Sequence, residues 1–293
     1  MKRIIIYLRM MRPANIVTSI ADILAGIAIS DVLNNGVSIP WLSIVFLTAS
    51  TACLYGGGIV FNDVFDADLD KIERPERVIP SGIISLQHAT ILGSILLFAG
   101  IALAALNSLT SGVLALLVAV FALFYNKFGK HYSFFGPLNM GLCRGFNLLL
   151  GLSIVPQMLH NHYLAIIPVI YIFSITMTSR GEVHGGRAKN LYLAAFLYAT
   201  VICAIAYFAF VNERLLLSLL FLVPFTFMIF RPLLKAIKEP VGKNIGRAVK
   251  AGVISLILMD AAWAVTFDAL ILAFIIAALL PLSMWLSKLF AVT

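Results

Sequence analysis

The sequence is poor in charge for its length. Only 12% of its 293 residues are Asp, Glu, Lys or Arg, whereas about a quarter of a typical soluble protein is charged. Hydrophobic residues make up 61% of the chain. This shortage argues against a soluble domain. It also argues against nucleic-acid binding, despite a net charge of +8, because no soluble basic domain is available to bind it.

Cysteine is equally scarce. Cys53, Cys143 and Cys203 lie in separate apolar segments, and their spacing matches no metal-binding or redox motif. We therefore expect buried, small apolar residues rather than disulfides or metal ligands.

A recognisable secretory signal is also missing. The N-terminal segment MKRIIIYLRMMRP has an apolar run that is short and interrupted by charge, and no small-residue cleavage site precedes the next apolar segment. We expect this segment to be retained as an amphipathic approach to the first membrane span.

The chain has instead a series of long apolar segments. A helix needs about 20 mainly apolar residues to cross a bilayer, and ten segments approach that length. They cover residues 13–31, 40–62, 85–106, 109–126, 134–156, 162–180, 190–210, 214–232, 246–266 and 269–289. The pattern predicts an all-α, polytopic membrane protein.

The basic residues predict its orientation. If the N-terminus is cytoplasmic, almost every Lys and Arg between the spans falls on the cytoplasmic side, and only Arg214 faces out. Positively charged loops remain in the cytoplasm, so we expect an integral protein of a bacterial inner membrane with its N-terminus inside. The positive net charge then reflects orientation and contact with anionic membrane lipids.

Acidic residues are concentrated in one stretch between two apolar segments, residues 62–82, NDVFDADLDKIERPERVIPSG. If the preceding helix continues, Asn62, Asp66 and Asp70 share one face and Asp63 lies beside them. Stacked carboxylates repel one another. A hard cation such as Mg²⁺ removes the conflict, since it binds a few carboxylates together with water and phosphate oxygens. The alternative is a solvated acidic loop.

In this stretch the sequence resembles the UbiA superfamily of intramembrane prenyltransferases. The family's first motif is approximately NDxxDxxxDxxxRPxRxxxxG, and its fixed positions are occupied here by Asn62, Asp63, Asp66, Asp70, Arg74, Pro75, Arg77 and Gly82. The resemblance implies a transmembrane helical bundle of nine to ten spans around a central cavity. We expect a single domain over residues 1–293, with inner-side cap loops near 63–84, 127–133 and 180–189.

The resemblance also implies that the motif binds Mg²⁺ and the diphosphate of an isoprenoid donor. The candidate metal ligands are Asn62, Asp63, Asp66, Asp70 and Glu182. The candidate catalytic residues are Asp66, Asp70, Glu182 and His184. The candidate substrate-binding residues are Asn62, Arg74, Arg77, Lys127, Lys130, Asn139, Arg144, Arg180 and Arg187.

The sequence departs from the family pattern in the loop after the sixth span, where a second aspartate-rich motif is normally found. This loop contains no aspartate, and its one carboxylate is Glu182, near His184, Arg180, Arg187 and Lys189. Glu182 is a candidate metal ligand, and His184 is either a base or a hydrogen-bonding group. Basic residues are candidates to replace a metal's charge on phosphate. The loop resembles, more narrowly, the EboC-type branch of the superfamily.

Two further sets of residues each allow two interpretations. Arg144 lies within a predicted span and needs a partner, so pairing with Asp22 or Asp260 competes with substrate contact. Lys127 and Lys130 are either a diphosphate clamp or ordinary positive charge on a cytoplasmic loop.

The implied function is Mg²⁺-dependent transfer of an isoprenyl group to an unidentified acceptor within the membrane. Five aromatic residues are candidates to line the cavity and shield a carbocation, namely Phe121, Phe124, Tyr125, Phe146 and Tyr171. One alternative is a protein of the same fold without transferase activity that transports or handles a lipophilic metabolite, which the altered second loop favours. The other is a structural membrane subunit, which has no need of three intramembrane charges.

Overall fold

The computed structural model describes residues 2–33, 40–182, 185 and 188–290, and these residues form a helical bundle without strands. The α-helices are α1 (Lys2–Met11), α2 (Pro13–Ile29), α3 (Trp41–Phe65), α4 (Ala67–Glu73), α5 (Leu86–Asn107), α6 (Leu109–Lys127), α7 (Phe135–Leu152), α8 (Ile166–Ser179), α9 (Ala188–Val211), α10 (Leu215–Lys238), α11 (Gly242–Thr266) and α12 (Leu270–Leu289). Two 3₁₀ segments, Gly129–His131 and Pro156–Ala165, precede α7 and α8.

A helix lies in each of the ten predicted apolar segments, which confirms the predicted all-α transmembrane bundle. Within the described residues, eight helices are long and apolar enough to cross a membrane, and α1 with α2 would make a ninth that bends by 55° at the break between them. Helix α7 falls outside this set because Asn139, Arg144 and Asn147 make it more polar. All three of these side chains are buried, so α7 contributes to the interior of the bundle.

Helix α11 lies at the centre of the bundle and α12 at its edge. In the most apolar window of α11, 83% of the residues are buried, against 17% in α12. Helix α12 nevertheless packs on both α11 and α2, and the Ser283 hydroxyl donates a hydrogen bond to the Ala14 carbonyl (3.0 Å). The last apolar segment is therefore an integral part of the fold.

Helices α2 and α7 approach each other closely because each has a glycine at the contact. A Cβ atom at Gly26 would overlap the Leu148 carbonyl, and one at Gly151 would overlap the Ile23 carbonyl. Small residues at such a contact let two helix backbones meet directly, as is common in membranes. The close approach brings Asp22 on α2 beside Arg144 on α7.

The prediction that all three cysteines are buried is wrong. Cys53 and Cys143 are partly exposed and Cys203 is exposed. A free thiol behaves as a small apolar group, so it is accepted on the outer face of a membrane helix such as α9 as readily as in a core.

Candidate functional site

A cavity of about 790 Å³ opens at the end of the bundle where α3, α6 and α8 terminate. Its wall is built from α2, α3, α4, α6, α7, α8 and α11. Along α3 and the residue that follows it, the cavity wall extends from Asp66 at the mouth to Thr51 at the floor, a distance of roughly 22 Å at the helical rise per residue. The cavity therefore reaches well into the part of the bundle that spans the membrane.

The mouth carries the acidic motif, and the helix breaks there. Helix α3 ends at Phe65 and α4 begins at Ala67, so the helix does not continue unbroken through the motif but is interrupted at Asp66. The backbone hydrogen bonds from Asp66 to Asn62 (3.0 Å) and from Asp70 to Asp66 (2.8 Å) still preserve a spacing of four residues. Asn62, Asp66 and Asp70 consequently line the same cavity, as a continuous helix would have placed them.

Three carboxylates of the motif are paired with basic side chains. Asp66 forms an ion pair with Lys130. One guanidinium nitrogen of Arg77 lies 2.7 Å from an oxygen of Asp70 and 3.3 Å from an oxygen of Asp63. These pairs bring the first motif and the loop after α6 to one place, although 64 residues separate Lys130 from Asp66 in sequence.

Asparagine residues fix the same end of α3 to α6. The Asn62 amide nitrogen donates to the Asn126 side-chain oxygen (3.2 Å), and the Asn126 amide nitrogen donates to the Gly58 carbonyl (2.8 Å). This arrangement uses the nitrogen of the Asn62 amide, whereas its oxygen is the atom with the chemistry of a magnesium ligand.

Glu182, the one acid of the altered second loop, lines the same cavity as the first motif. Its Oε1 atom is buried and has no hydrogen-bond partner among the described residues. Burial raises the pKa of this carboxyl group, and the positive charges of Arg74 and Arg12 partly offset that rise. A buried, unpartnered carboxylate oxygen is uncommon and is chemically suited to a cation.

The floor of the cavity is polar. Arg144 forms an ion pair with Asp22 and donates to the Thr18 carbonyl (2.7 Å). Asn147 donates to Asp22 (2.9 Å) and accepts a hydrogen bond from the Thr51 hydroxyl (2.6 Å). Arg144, Asn147 and Thr51 all line the cavity, so pairing with Asp22 and contact with the cavity are compatible.

Three other predicted substrate-binding residues lie outside the cavity lining. Lys127 is exposed and its ammonium group lies over the Phe128 ring, 5.2 Å from the centroid. With its amide in the favourable orientation, Asn139 donates to the Phe121 carbonyl (3.1 Å) and accepts from the Tyr125 backbone (3.2 Å). Arg180 donates to two backbone carbonyls of the loop after α6. His184 and Arg187 lie outside the described residues.

The cavity also contains residues that the sequence did not single out. These are Arg12, Asn15, Thr51, Tyr55 and Asn126. Arg12 immediately precedes the proline that opens α2, and Asn126 is a polar residue at the end of an apolar helix. The sequence therefore gave only a weak indication that either residue lies at a functional site.

The aromatic lining differs from the prediction. Tyr125 lines the cavity, as predicted, whereas Phe121, Phe124, Phe146 and Tyr171 are not among the lining residues. Helical periodicity cannot reveal which of several neighbouring helices an aromatic face meets.

The described residues contain no group of three or more His, Cys, Asp or Glu side chains close enough to hold a metal by themselves. Mg²⁺ does not need such a group, because it is often held by one or two carboxylates together with water and substrate phosphates. Asp63 and Asp70 meet at one nitrogen of Arg77, and Glu182 has an unpartnered oxygen. These oxygen donors fit Mg²⁺ when a phosphate ligand accompanies it.

Comparison with known proteins agrees with this geometry. The model of the UbiA prenyltransferase family matches residues 23–180, which is just over half of the chain. The chain belongs to the UbiA prenyltransferase family. The match includes the acidic motif, Lys130, Arg144 and the end of α8.

The chain also has sequence relatives in archaea. The chain is 33% identical over 177 residues to digeranylgeranylglyceryl phosphate synthase of Saccharolobus solfataricus, covering 58% of this chain and 59% of the relative. It is 32% identical over 149 residues to the synthase of the same name from Methanococcoides burtonii, covering 50% of this chain and 53% of that relative. The chain thus spans a little over half the length of these curated relatives. They do not bear on the expected bacterial location, which stays a prediction.

Solved structures of UbiA proteins share the fold. A structure of digeranylgeranylglyceryl phosphate synthase superposes with a TM-score of 0.65 at 21% identity, covering 91% of this chain and 99% of that one. A UbiA homologue from Archaeoglobus fulgidus bound to GPP and Mg²⁺ superposes with a TM-score of 0.62 at 16% identity, covering 86% and 99%. Family and fold together identify an integral membrane protein.

Proposed function

We propose that this protein transfers an isoprenyl group from an isoprenoid diphosphate to an acceptor within the membrane. The observation that carries the proposal is a single cavity with acidic and basic groups at its mouth and a mainly apolar wall behind them. A relative of the same fold is described as bound to GPP and Mg²⁺, which supports a diphosphate donor for this chain.

In this proposal the mouth of the cavity holds the donor diphosphate. Arg74, Arg77 and Lys130 line the mouth and supply cationic donors for phosphate oxygens. Mg²⁺ would be held by oxygen atoms of Asn62, Asp63, Asp66, Asp70 and Glu182. When bound, it neutralises charge on the diphosphate and makes it a better leaving group.

The wall of the cavity protects the reacting carbon from water. Leu54, Ile59, Ile172 and Ile175 line it, and apolar side chains leave no room for hydration of an allylic cation. The electron pair of the breaking C–O bond leaves with the diphosphate. The acceptor's nucleophilic atom then forms a bond to the allylic carbon, and its proton passes to the released diphosphate. The ring of Tyr55, another wall residue, can stabilise the developing positive charge.

The acceptor is proposed to be a polar lipid. The archaeal relatives are named as synthases of digeranylgeranylglyceryl phosphate, so a glyceryl phosphate with one geranylgeranyl chain is the first acceptor to test. At the cavity floor, Arg144, Asn147 and Thr51 offer the polar contacts that such a molecule needs.

The test is a transfer assay with the purified full chain. Labelled isoprenoid diphosphates of increasing length are incubated with Mg²⁺ and either the prenylated glyceryl phosphate or a membrane lipid extract. We expect diphosphate release together with transfer of label to a lipid. Asp66→Ala and Asp70→Ala should abolish both transfer and Mg²⁺-dependent donor binding, because they remove carboxylates at the mouth of the cavity.

The alternative function is handling of a lipophilic metabolite without transfer. It draws support from the second loop, which offers one carboxylate, Glu182, in place of an aspartate-rich motif. Undiminished donor binding in EDTA, with no release of diphosphate under any condition, would favour this alternative.

A further inference from the structure

The carboxylates of the acidic motif are neutralised by the protein's own basic side chains. Asp66 is paired with Lys130, and Arg77 is shared by Asp63 and Asp70. We propose that Lys130 and Arg77 are internal counter-ions, which leave the carboxylates for the diphosphate only when metal and diphosphate arrive together. The inference deepens the proposed function, on which it rests for the identity of the ligands.

The position of Lys130 allows its side chain either to pair with Asp66 or to bind the diphosphate. It lies in the 3₁₀ segment Gly129–His131, whose backbone is held by Arg180 through the carbonyls of Lys130 (3.0 Å) and Tyr132 (3.2 Å). Because its backbone is fixed, the flexible side chain is free to exchange one oxygen partner for another. The Lys130 and Asp66 side chains are 19% and 18% exposed, so their attraction is screened less than that of a surface pair.

Arg77 occupies the point where two carboxylates meet. A single nitrogen contacts both Asp63 and Asp70, and the Asp70 side chain is only 6% exposed. Removing this guanidinium would leave two like charges facing each other across a partly buried space. A metal ion that enters this space must therefore displace Arg77 or share its partners.

The balance of charge within these ion pairs predicts that metal alone binds weakly to them. Three carboxylates, those of Asp63, Asp66 and Asp70, face three cations, since Arg12 also lies 3.6 Å from Asp63. A divalent cation alone adds positive charge to a set that is already neutral. A metal–diphosphate complex brings its own negative charge, and it offers Lys130 and Arg77 phosphate oxygens in exchange for the carboxylates they give up.

The consequence is a positive coupling between metal and diphosphate. Each ligand should raise the affinity of the protein for the other by the same factor, since coupling free energies are reciprocal. A Lys130→Gln variant should bind metal alone more tightly, by about tenfold on the scale typical of such couplings, and should bind pyrophosphate more weakly. A lysine that only clamps phosphate predicts no change in the binding of metal alone.

The experiment measures binding without any transfer reaction. Binding of Mn²⁺ alone is followed by electron paramagnetic resonance on the purified full chain, for the unmodified protein and for Lys130→Gln. Retention of labelled inorganic pyrophosphate is then measured by equilibrium dialysis at fixed Mn²⁺. The matched control is Lys127→Gln, which removes a nearby exposed lysine that contacts the Phe128 ring and should change neither measurement.

We expect Lys130→Gln to change the two affinities in opposite directions, because it should bind Mn²⁺ alone more tightly and pyrophosphate more weakly. Arg77→Gln is a second variant, and we expect it to change both affinities in the same directions as Lys130→Gln does. Unchanged Mn²⁺ affinity in both variants would overturn the inference and leave the proposed function standing. No Mn²⁺ binding by the unmodified protein, even with pyrophosphate, would overturn both. If the two affinities change in opposite directions but the transfer assay fails, the inference is upheld and the proposed transfer is left unsupported.

Discussion

Glu182 is the one carboxylate of the loop that follows α8. It is the only acid between Glu76 and Glu213 in the sequence. It lies at the same cavity as Asp66 and Asp70, and its Oε1 atom has no hydrogen-bond partner among the described residues. This loop therefore brings one carboxylate oxygen to the cavity that the first motif lines.

We predict that Glu182→Gln lowers the turnover number and, together with it, weakens the dependence of transfer on Mg²⁺. We expect the loss of turnover to be about 10–100-fold, as is typical for residues that tune a metal site. The substitution keeps the shape of the side chain and removes its charge. The measurement is turnover as a function of Mg²⁺ concentration at saturating donor. Glu213→Gln is the matched control, because Glu213 is exposed in the turn between α9 and α10. Full activity in Glu182→Gln, with an unchanged Mg²⁺ titration, would mean that the first motif acts alone.

Single residues show where prediction from sequence succeeds and where it stops. The acidic motif was predictable because its residues are close in sequence and helical spacing places them together. Lys127 and Lys130 were indistinguishable by residue type, yet only Lys130 reaches an aspartate. Asn139 was predicted to bind substrate, whereas its amide faces the backbone of α6. A buried amide must find hydrogen-bond partners, but the sequence does not show which groups those partners are.

At the scale of helices, the contact between α2 and α7 positions the cavity floor. Asp22 and Arg144 pair across this contact, and the Asn147 amide nitrogen also donates to the Ser19 carbonyl on α2 (3.0 Å). The glycines of the two helices let the backbones approach closely enough for Asp22 to meet Arg144 and Asn147. Packing of small residues therefore determines the chemistry of the floor.

We predict that Gly151→Ala destabilises the protein, by about 1–3 kcal/mol as is usual for overpacking. The new methyl group would overlap the Ile23 carbonyl, so the two backbones must separate. The measurement is the midpoint of heat unfolding in detergent. Gly246→Ala is the control, because a Cβ there meets nothing within 4 Å and alanine favours a helix over glycine by up to about 1 kcal/mol. Equal midpoints for the two variants would argue against a tight contact.

The break at Asp66 shows a limit of sequence prediction for elements. The spacing of Asn62, Asp66 and Asp70 places them on one face if the preceding helix continues, and the spacing alone does not say whether it does. The structure divides the stretch into α3 and α4 and keeps the two backbone hydrogen bonds across the junction. The three side chains therefore line one cavity as the spacing predicts, although the helix that carries them is broken at Asp66.

For the whole molecule, contacts between connections agree with helices that alternate in direction. At the end opposite the cavity, Arg214 pairs with Asp268 (2.9 Å) and Asn212 donates to the Thr266 carbonyl (3.1 Å). The turn after α9 therefore lies beside the turn after α11, as a strict alternation requires. The connections that carry Asp70, Lys130 and Glu182 meet at the cavity end. The distribution of Lys and Arg predicted which connections lie at each end of the bundle, because the excess of basic residues recurs in every second connection.

Orientation in the membrane gives the last prediction. Because the basic connections lie at the cavity end and positive charge stays in the cytoplasm, the mouth of the cavity should open to the cytoplasm. A cysteine replacing Glu213 should react with an impermeant maleimide added outside intact cells, and one replacing Lys235 should react only after the membrane is opened. Both substitutions are made in a variant without Cys53, Cys143 and Cys203, since the last of these is exposed. If both positions reacted from outside, the alternation of α10 across the membrane would be wrong. Reaction of Lys235→Cys alone from outside would instead invert the whole molecule and place donor binding on the other face.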